Sequence, residues 1–167
     1  MEYLDLVNEN DEVIGKEDRE IIYQKNMKNF RVINIIVVAN DGKIVLPKRS
    51  NNRKLFPNCY DFSVGGHVSS GETYEEAAYR ELEEELGISN VELEEIGYFR
   101  PEELGTSSFS KLYRLMYDGN FEYDKDGIAE IFYKTSDEIE KLLEEDVTMF
   151  KGDYPKIFRW MRRQKIL

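Results

Sequence analysis

Three glutamates, Glu81, Glu84 and Glu85, lie close together in a run that reads Arg80-Glu81-Leu82-Glu83-Glu84-Glu85-Leu86. On a helix, residues three and four apart are neighbours, so this spacing brings all three carboxylates within reach of one point. Like charges so placed repel unless something positive sits among them. Hard oxygen ligands in a rigid group suit magnesium or manganese. Arg80 is adjacent to Glu81 and one turn from both Glu76 and Glu84, so it can hold a carboxylate in place. Just upstream, the loop Gly65-Gly66-His67-Val68-Ser69-Ser70-Gly71-Glu72 has glycines that let backbone approach a phosphate or offer a carbonyl to a metal. An acidic helix face taken alone is usually just solvated; the company these glutamates keep makes them candidates for chemistry.

Such a group must be held still, and residues 73–86 predict a helix that does so. Thr73, with Glu76 three residues on, forms a capping box, and Glu75 and Glu76 suit the positive end. Gly87 stands where a left-handed terminal residue is wanted, with Ile88 placed to pack back. Ala78, Leu82 and Leu86 recur at four-residue spacing as a narrow apolar stripe. The acidic trio lies on the flank of that stripe.

Most other elements predict as strands. Residues 4–7 and 12–15 flank the turn-forming Asn8-Glu9-Asn10-Asp11 as a hairpin. The polar stretch 16–29, anchored by Ile21, Ile22 and Met27, suggests a short helix. Residues 30–39 are β-branched and apolar on both faces, which predicts a central strand, turning through Asn40-Asp41-Gly42 into 43–46 as a second hairpin. Residues 91–99, 111–117 and 128–133 predict further strands, and 136–145 and 155–164 predict helices, the first capped by Ser136. Strands and helices alternate too irregularly for a dinucleotide-binding fold, and its glycine fingerprint is missing. The expected class is α/β, with a mixed sheet covered by helices on both faces.

The 167 residues fit one domain, 1–167, with its core at about 30–150, a hairpin extension at 1–29 and a C-terminal helix at 153–165. A net charge of −11 argues against polymeric nucleic acid, whose phosphates would be repelled. A small anion remains compatible, because a bound divalent cation reverses the field locally. No apolar run is long enough for a bilayer, and Met1-Glu2-Tyr3-Leu4-Asp5 lacks the features of a signal peptide. The single cysteine, Cys59, has no internal disulfide partner and reads as a buried structural thiol; one histidine, His67, cannot alone complete a zinc site. A cytoplasmic protein, monomer or homodimer, with a small-molecule partner and neither membrane nor nucleic acid, is the expectation.

The whole pattern is more demanding than the trio. Gly66 is followed after five residues by Glu72, and after seven more by Arg80-Glu81, Leu82, Glu84-Glu85 and Gly87-Ile88. This resembles the signature of the Nudix hydrolase family at every defining position. The resemblance implies a Nudix-type α/β/α sandwich in which the signature forms a loop-helix-loop. It implies hydrolysis of a diphosphate linkage in a nucleoside di- or triphosphate, or a nucleoside diphosphate derivative, with Mg2+ or Mn2+. By the same resemblance Glu81, Glu84, Glu85 and the carbonyl of Gly66 are metal contacts, and Glu72 and Arg80 orient the carboxylates. Divalent ions neutralise a phosphoanhydride's charge and acidify a bound water, and a carboxylate must take that water's proton. Glu84 or Glu85 are the candidate bases, with Glu130 as an outside candidate whose ordinary reading is a strand-edge charge.

Outside the signature the first hundred or so residues resemble, more loosely, the branch that includes isopentenyl diphosphate isomerase. The similar segments are Asp5-Leu6-Val7-Asn8-Glu9, Glu12-Val13-Ile14-Gly15, Lys48-Arg49-Ser50, Phe56-Pro57 and Ser63-Val64-Gly65-Gly66-His67. The resemblance places a catalytic cysteine where this chain has Gly65, and three metal-binding histidines where only His67 exists. An isomerase-like enzyme is thus the lesser alternative, as is a Nudix-fold module that binds a nucleotide without cleaving it. Lys48, Arg49 and Arg53 are candidate phosphate contacts or solvated surface, and Gly65, Gly66 and His67 candidate substrate contacts. His67 can touch metal or phosphate, or bond to backbone. Tyr98, Phe99, Phe109 and Tyr113 can stack on a base, though aromatics at strand spacing are more often core.

Overall fold

The computed structural model describes all residues, 1–167. Strands β1 (Tyr3–Val7) and β2 (Val13–Asp18) form an antiparallel pair apart from the main sheet, followed by α1 (Arg19–Gln24), which Asp18 caps. Then come β3 (Arg31–Val38), β4 (Ile44–Arg49), β5 (Val64–His67), α2 (Tyr74–Leu86), β6 (Glu94–Phe99), α3 (Pro101–Leu104), β7 (Phe109–Met116) and β8 (Ile128–Lys134). Helix α4 (Ser136–Glu145), a single 3-10 turn at Val147–Met149 and α5 (Tyr154–Arg163) close the chain.

The main sheet runs β6-β7-β3-β4-β8, with β5 also paired to β3. It is mixed, since β3 is parallel to β7 and antiparallel to β5. Strand β3 is central because both its faces are apolar. Ile33, Ile35 and Val37 enter one core with Ala78, Leu82 and Leu86 of α2; Ile36 and Val38 enter another with Ile139 of α4 and Ile157, Phe158 and Met161 of α5. The result is the expected α/β/α sandwich. A small third core of Leu4, Ile22 and Phe30 fastens the N-terminal hairpin and α1 to the body. No helix is long and apolar enough to cross a membrane.

Helix α2 forms as its sequence requires. Thr73 Oγ1 accepts from the Glu76 amide at 3.1 Å and Glu76 returns a bond to the Thr73 amide at 2.9 Å, an arrangement that stabilises by about 1 kcal/mol. Gly87 terminates it at φ 64°, where any other residue would be strained.

The structure corrects several expectations. The anticipated hairpin between β3 and β4 is a pair at one point only, Val38↔Ile44, after which the strands part. Strand β5 takes the freed side of β3, over Val32↔His67 to Ile35↔Val64, while β4 pairs along β8. The buried Ser63 stitches the opening: its hydroxyl accepts from the Val37 amide at 2.8 Å and donates to the Val45 carbonyl at 2.7 Å. Residues 65–67, expected as loop, belong to strand β5, because the ladder to β3 overrides the weak strand preference of paired glycines. Thr135, not Ser136, caps α4, accepting from the Glu138 amide at 3.2 Å. Cys59 is half-buried rather than buried, with its thiol 3.6 Å from the Thr148 carbonyl. Of the four aromatics weighed for stacking, Phe99, Phe109 and Tyr113 are core.

Candidate active site

Where β3 and β4 part, a cleft of about 950 Å3 opens. It draws walls from both layers of the sandwich: Arg80, Glu81, Glu84 and Glu85 from α2 on one side, Lys151 and Asp153 from the approach to α5 on the other. Arg53, Asp124, Tyr23 and Phe30 also line it.

Arg80 organises the acidic wall. Its Nε and Nη2 donate to the two oxygens of Glu72 at 2.6 and 2.9 Å, a bidentate fork. Nη1 donates to Glu81 at 2.7 Å and Glu84 at 3.3 Å, and Nη2 also reaches the His67 carbonyl at 3.0 Å. Glu72 accepts in addition from the Ser69 amide at 2.9 Å. The Arg80 bond, aided by that amide, holds the Glu72 carboxyl below its ordinary range, so it stays charged. One guanidinium thus ties the loop, the strand and the helix together.

Gly66 lies against the same group. A Cβ at this position would fall on the Glu81 carboxylate and stand 2.7 Å from its Cγ, so any side chain here would displace that carboxylate. Burial raises the Glu81 carboxyl against the pull of Arg80. Burial, then the facing Asp61 and Glu81, push Glu85 up to about 8. Neither has a positive partner of its own: Glu81 shares Arg80 with Glu72 and Glu84, and Glu85 forms no ion pair.

The expected convergence of three carboxylates on one point is not met in this conformation: no three acidic, histidine or cysteine side chains are gathered for a metal. The reason is Arg80 Nη1, which draws Glu81 and Glu84 to itself. The residues nonetheless fit a hard divalent cation. They supply only oxygen ligands, Glu84 is 58% exposed on a long bond and free to turn, and Glu85 gains most from a cation beside it.

The remaining candidates divide. Gly65, Gly66 and His67 line the cleft. His67 Nε2 is 2.7 Å from the Tyr23 hydroxyl, not on backbone, and its ring stacks on Phe30. Burial, with Arg19, Lys151 and Arg80 adding to it, lowers its pKa to about 3, so the ring is neutral. Arg49 lies in the cleft with its donors already committed, to Asp61 at 2.9 Å and to the Leu55 and Phe56 carbonyls at 2.9–3.2 Å. Lys48 and Glu130 face each other across β4 and β8, and neither lines the cleft. Neighbours along a strand point to opposite faces, so with Arg49 turned into the cleft Lys48 lies on the sheet face of Ile44 and Leu46, toward α4 and α5.

Several cleft residues escaped sequence reasoning. Lys151 stands with Nζ 3.6 Å from Asp61, its only ionic partner, and 3.7 Å from where a Gly65 side chain would begin. Asn34 is buried mid-strand with its amide donating to Ser110 at 3.1 Å. A polar residue inside Val32-Ile33-Asn34-Ile35-Ile36 was a readable signal; Lys151, a lysine in an ordinary loop, carried none.

Residues 28–161 match the NUDIX domain model. The chain is 44% identical over 135 residues to an uncharacterised Nudix hydrolase of Nostoc sp., all7351, covering 80% of each chain. It is 32% identical to the Escherichia coli Nudix hydrolase YfcD over 97% of this chain and 88% of that one. Its structure matches the crystal structure of DR0079 from Deinococcus radiodurans with a TM-score of 0.87 at 34% identity, covering 95% of this chain and 98% of that chain. The chain belongs to the Nudix hydrolase family. It is an enzyme acting on phosphoanhydride bonds, in a family that generally uses divalent metals.

Proposed function

We propose that the protein hydrolyses the diphosphate linkage of a small nucleotide-like substrate, a nucleoside di- or triphosphate or nucleoside diphosphate derivative, with magnesium or manganese. The observation that supports this is the Arg80 clamp, whose guanidinium bonds Glu72, Glu81, Glu84 and the His67 carbonyl beside Gly66 at the edge of the cleft. Glu81, Glu84, Glu85 and the Gly66 carbonyl would hold the cation, which supplies charge neutralisation at phosphate and acidifies water. Glu85 or Glu84 receives the water's proton. Glu130, outside the cleft, is not given that task.

Lys151, facing the glutamates, and Arg53, beside Glu85, hold the phosphates. Arg49 instead fixes the loop at 55–56, its donors being spent. Two such cations grip the two ends of a diphosphate and keep the bridging bond between them. Lys151→Met should therefore raise KM about tenfold, the size of a lost charge-assisted hydrogen bond, with a smaller change in kcat. Lys48→Met, at a residue outside the cleft lining, should leave both unchanged in steady-state assays.

An isomerase is disfavoured because Gly65 occupies the cysteine's place and Cys59 lies outside the cleft lining. The deciding experiment is phosphate release, counted directly and after added pyrophosphatase and phosphatase so that pyrophosphate and phosphomonoester products register, from a panel of nucleoside di- and triphosphates and their derivatives, with isopentenyl diphosphate included. The expected outcome is release with magnesium, its loss in excess EDTA, and no isomerisation. Full activity in EDTA, or interconversion of isopentenyl and dimethylallyl diphosphates, would refute the reading.

A further inference from the structure

The family match begins at residue 28, so β1, β2 and α1 lie outside it. Yet the loop that carries Glu72 is gripped from there. Asp5 of β1 accepts from the Ser70 hydroxyl at 2.7 Å through one oxygen and from the Gly71 amide at 3.1 Å through the other. The Ser70 amide donates to the Tyr3 carbonyl at 2.8 Å, and Leu4 bridges to Ser69. A second anchor stabilises the same hairpin at its turn, where Asp11 accepts from Tyr74 and Tyr98 hydroxyls and from Arg31, each at 2.7 Å.

From these contacts we propose that the N-terminal hairpin is a working part of the site, with Asp5 as a positioning residue for the loop 69–72. The contacts are consecutive. Asp5 fixes Ser70 and Gly71; the adjacent Ser69 amide and Glu72 close on each other; Glu72 fixes the guanidinium of Arg80; Arg80 sets Glu81 and Glu84. Gly71 sits at φ +88°, a conformation that needs no side-chain support but gives the loop no stiffness of its own, so the carboxylate supplies it. With Asp11 and the core of Leu4, Ile22 and Phe30 keeping the hairpin folded, Asp5 is left to act on the loop. Partners hydrogen-bonded to metal ligands typically govern affinity and rate by ten- to a hundredfold, and Asp5, which reaches them through Glu72 and Arg80, should act at the lower end of that range. The inference rests on the metal site proposed above.

The test compares wild type, Asp5→Asn and Ser70→Ala in three measurements: hydrogen exchange of metal-free protein, the magnesium concentration giving half of the metal-induced rise in Tm, and steady-state kinetics. Asp5→Asn should speed exchange at 69–72 while leaving α2 protected. It should raise the magnesium requirement and lower kcat, each by about tenfold or more, with KM little altered. Ser70→Ala, which keeps the carboxylate and the Gly71 bond, should move all three the same way by less. If both variants merely melt earlier, with wild-type magnesium requirement and kcat, Asp5 is structural and the proposal fails. Unchanged exchange at 69–72 also overturns it. If wild type neither gains stability from magnesium nor releases phosphate, the proposed function is what has failed, and the exchange measurement, which needs no metal, still decides the tether.

Discussion

Glu85→Gln and Glu84→Gln should each cut phosphate release by roughly a hundredfold or more, the order expected when a metal ligand or general base is lost. The fold should not suffer. Glu85 is pushed up to about 8 from an ordinary 4.5 by burial and by the facing Asp61 and Glu81. Stability contributed by its neutral form is therefore complete below about pH 4.5 and lost as pH rises through 8. Metal-free wild type should melt progressively earlier than Glu85→Gln between those limits. Magnesium should raise the Tm of wild type and raise that of the variant less, since the gain follows metal affinity. Glu75→Gln and Glu83→Gln, exposed and off the cleft, are the controls and should turn over like wild type. Equal loss of activity in Glu75→Gln and Glu84→Gln, or unfolding of Glu84→Gln, would make these carboxylates structural.

Gly66→Ala should be nearly as damaging with a single added methyl. Its Cβ would land on the Glu81 carboxylate, which must swing away and give up its 2.7 Å bond to Arg80 Nη1. A displacement of about 1 Å at such a group costs on the order of a hundredfold in rate. Gly65→Ala meets only Asn34 Oδ1, at 3.0 Å, and Lys151 beyond it, so it should act on substrate affinity more than on turnover. Parallel kinetics and magnesium titrations of the two variants check this: an unimpaired kcat and magnesium requirement in Gly66→Ala would separate the glycine from the metal wall.

What could be read in advance follows from the range of the forces involved. Helix α2 is local: capping box, terminal glycine and apolar stripe lie within sixteen residues of Thr73, and all three are found as expected. The central place of β3 was equally legible, because burial on both faces leaves a continuous apolar run. The splaying of β3 from β4 was not, for it depends on Ser63 reaching two strands at once and on β5 displacing β4, both long-range facts. Within the site the same boundary holds. Arg80 and its glutamates are one turn apart, whereas Lys48 and Arg49 are neighbours whose fates diverge with the strand's pleat. Asp5 meets its partners 65 and 66 residues away.

The opening between β3 and β4 has a consequence for how such a protein can diversify. The glutamate wall is carried by the core under α2, and the cationic wall by the separate core under α4 and α5. Apart from Asp61, which faces Glu85 and pairs with Lys151, the two walls rest on separate supports, and changes at such sites usually add rather than interfere. Substrate preference can therefore be rewritten through residues 147–161 while the hydrolytic apparatus is inherited intact. A library randomised on the Lys151 side should yield folded, metal-responsive variants with new substrates far more often than one randomised on α2.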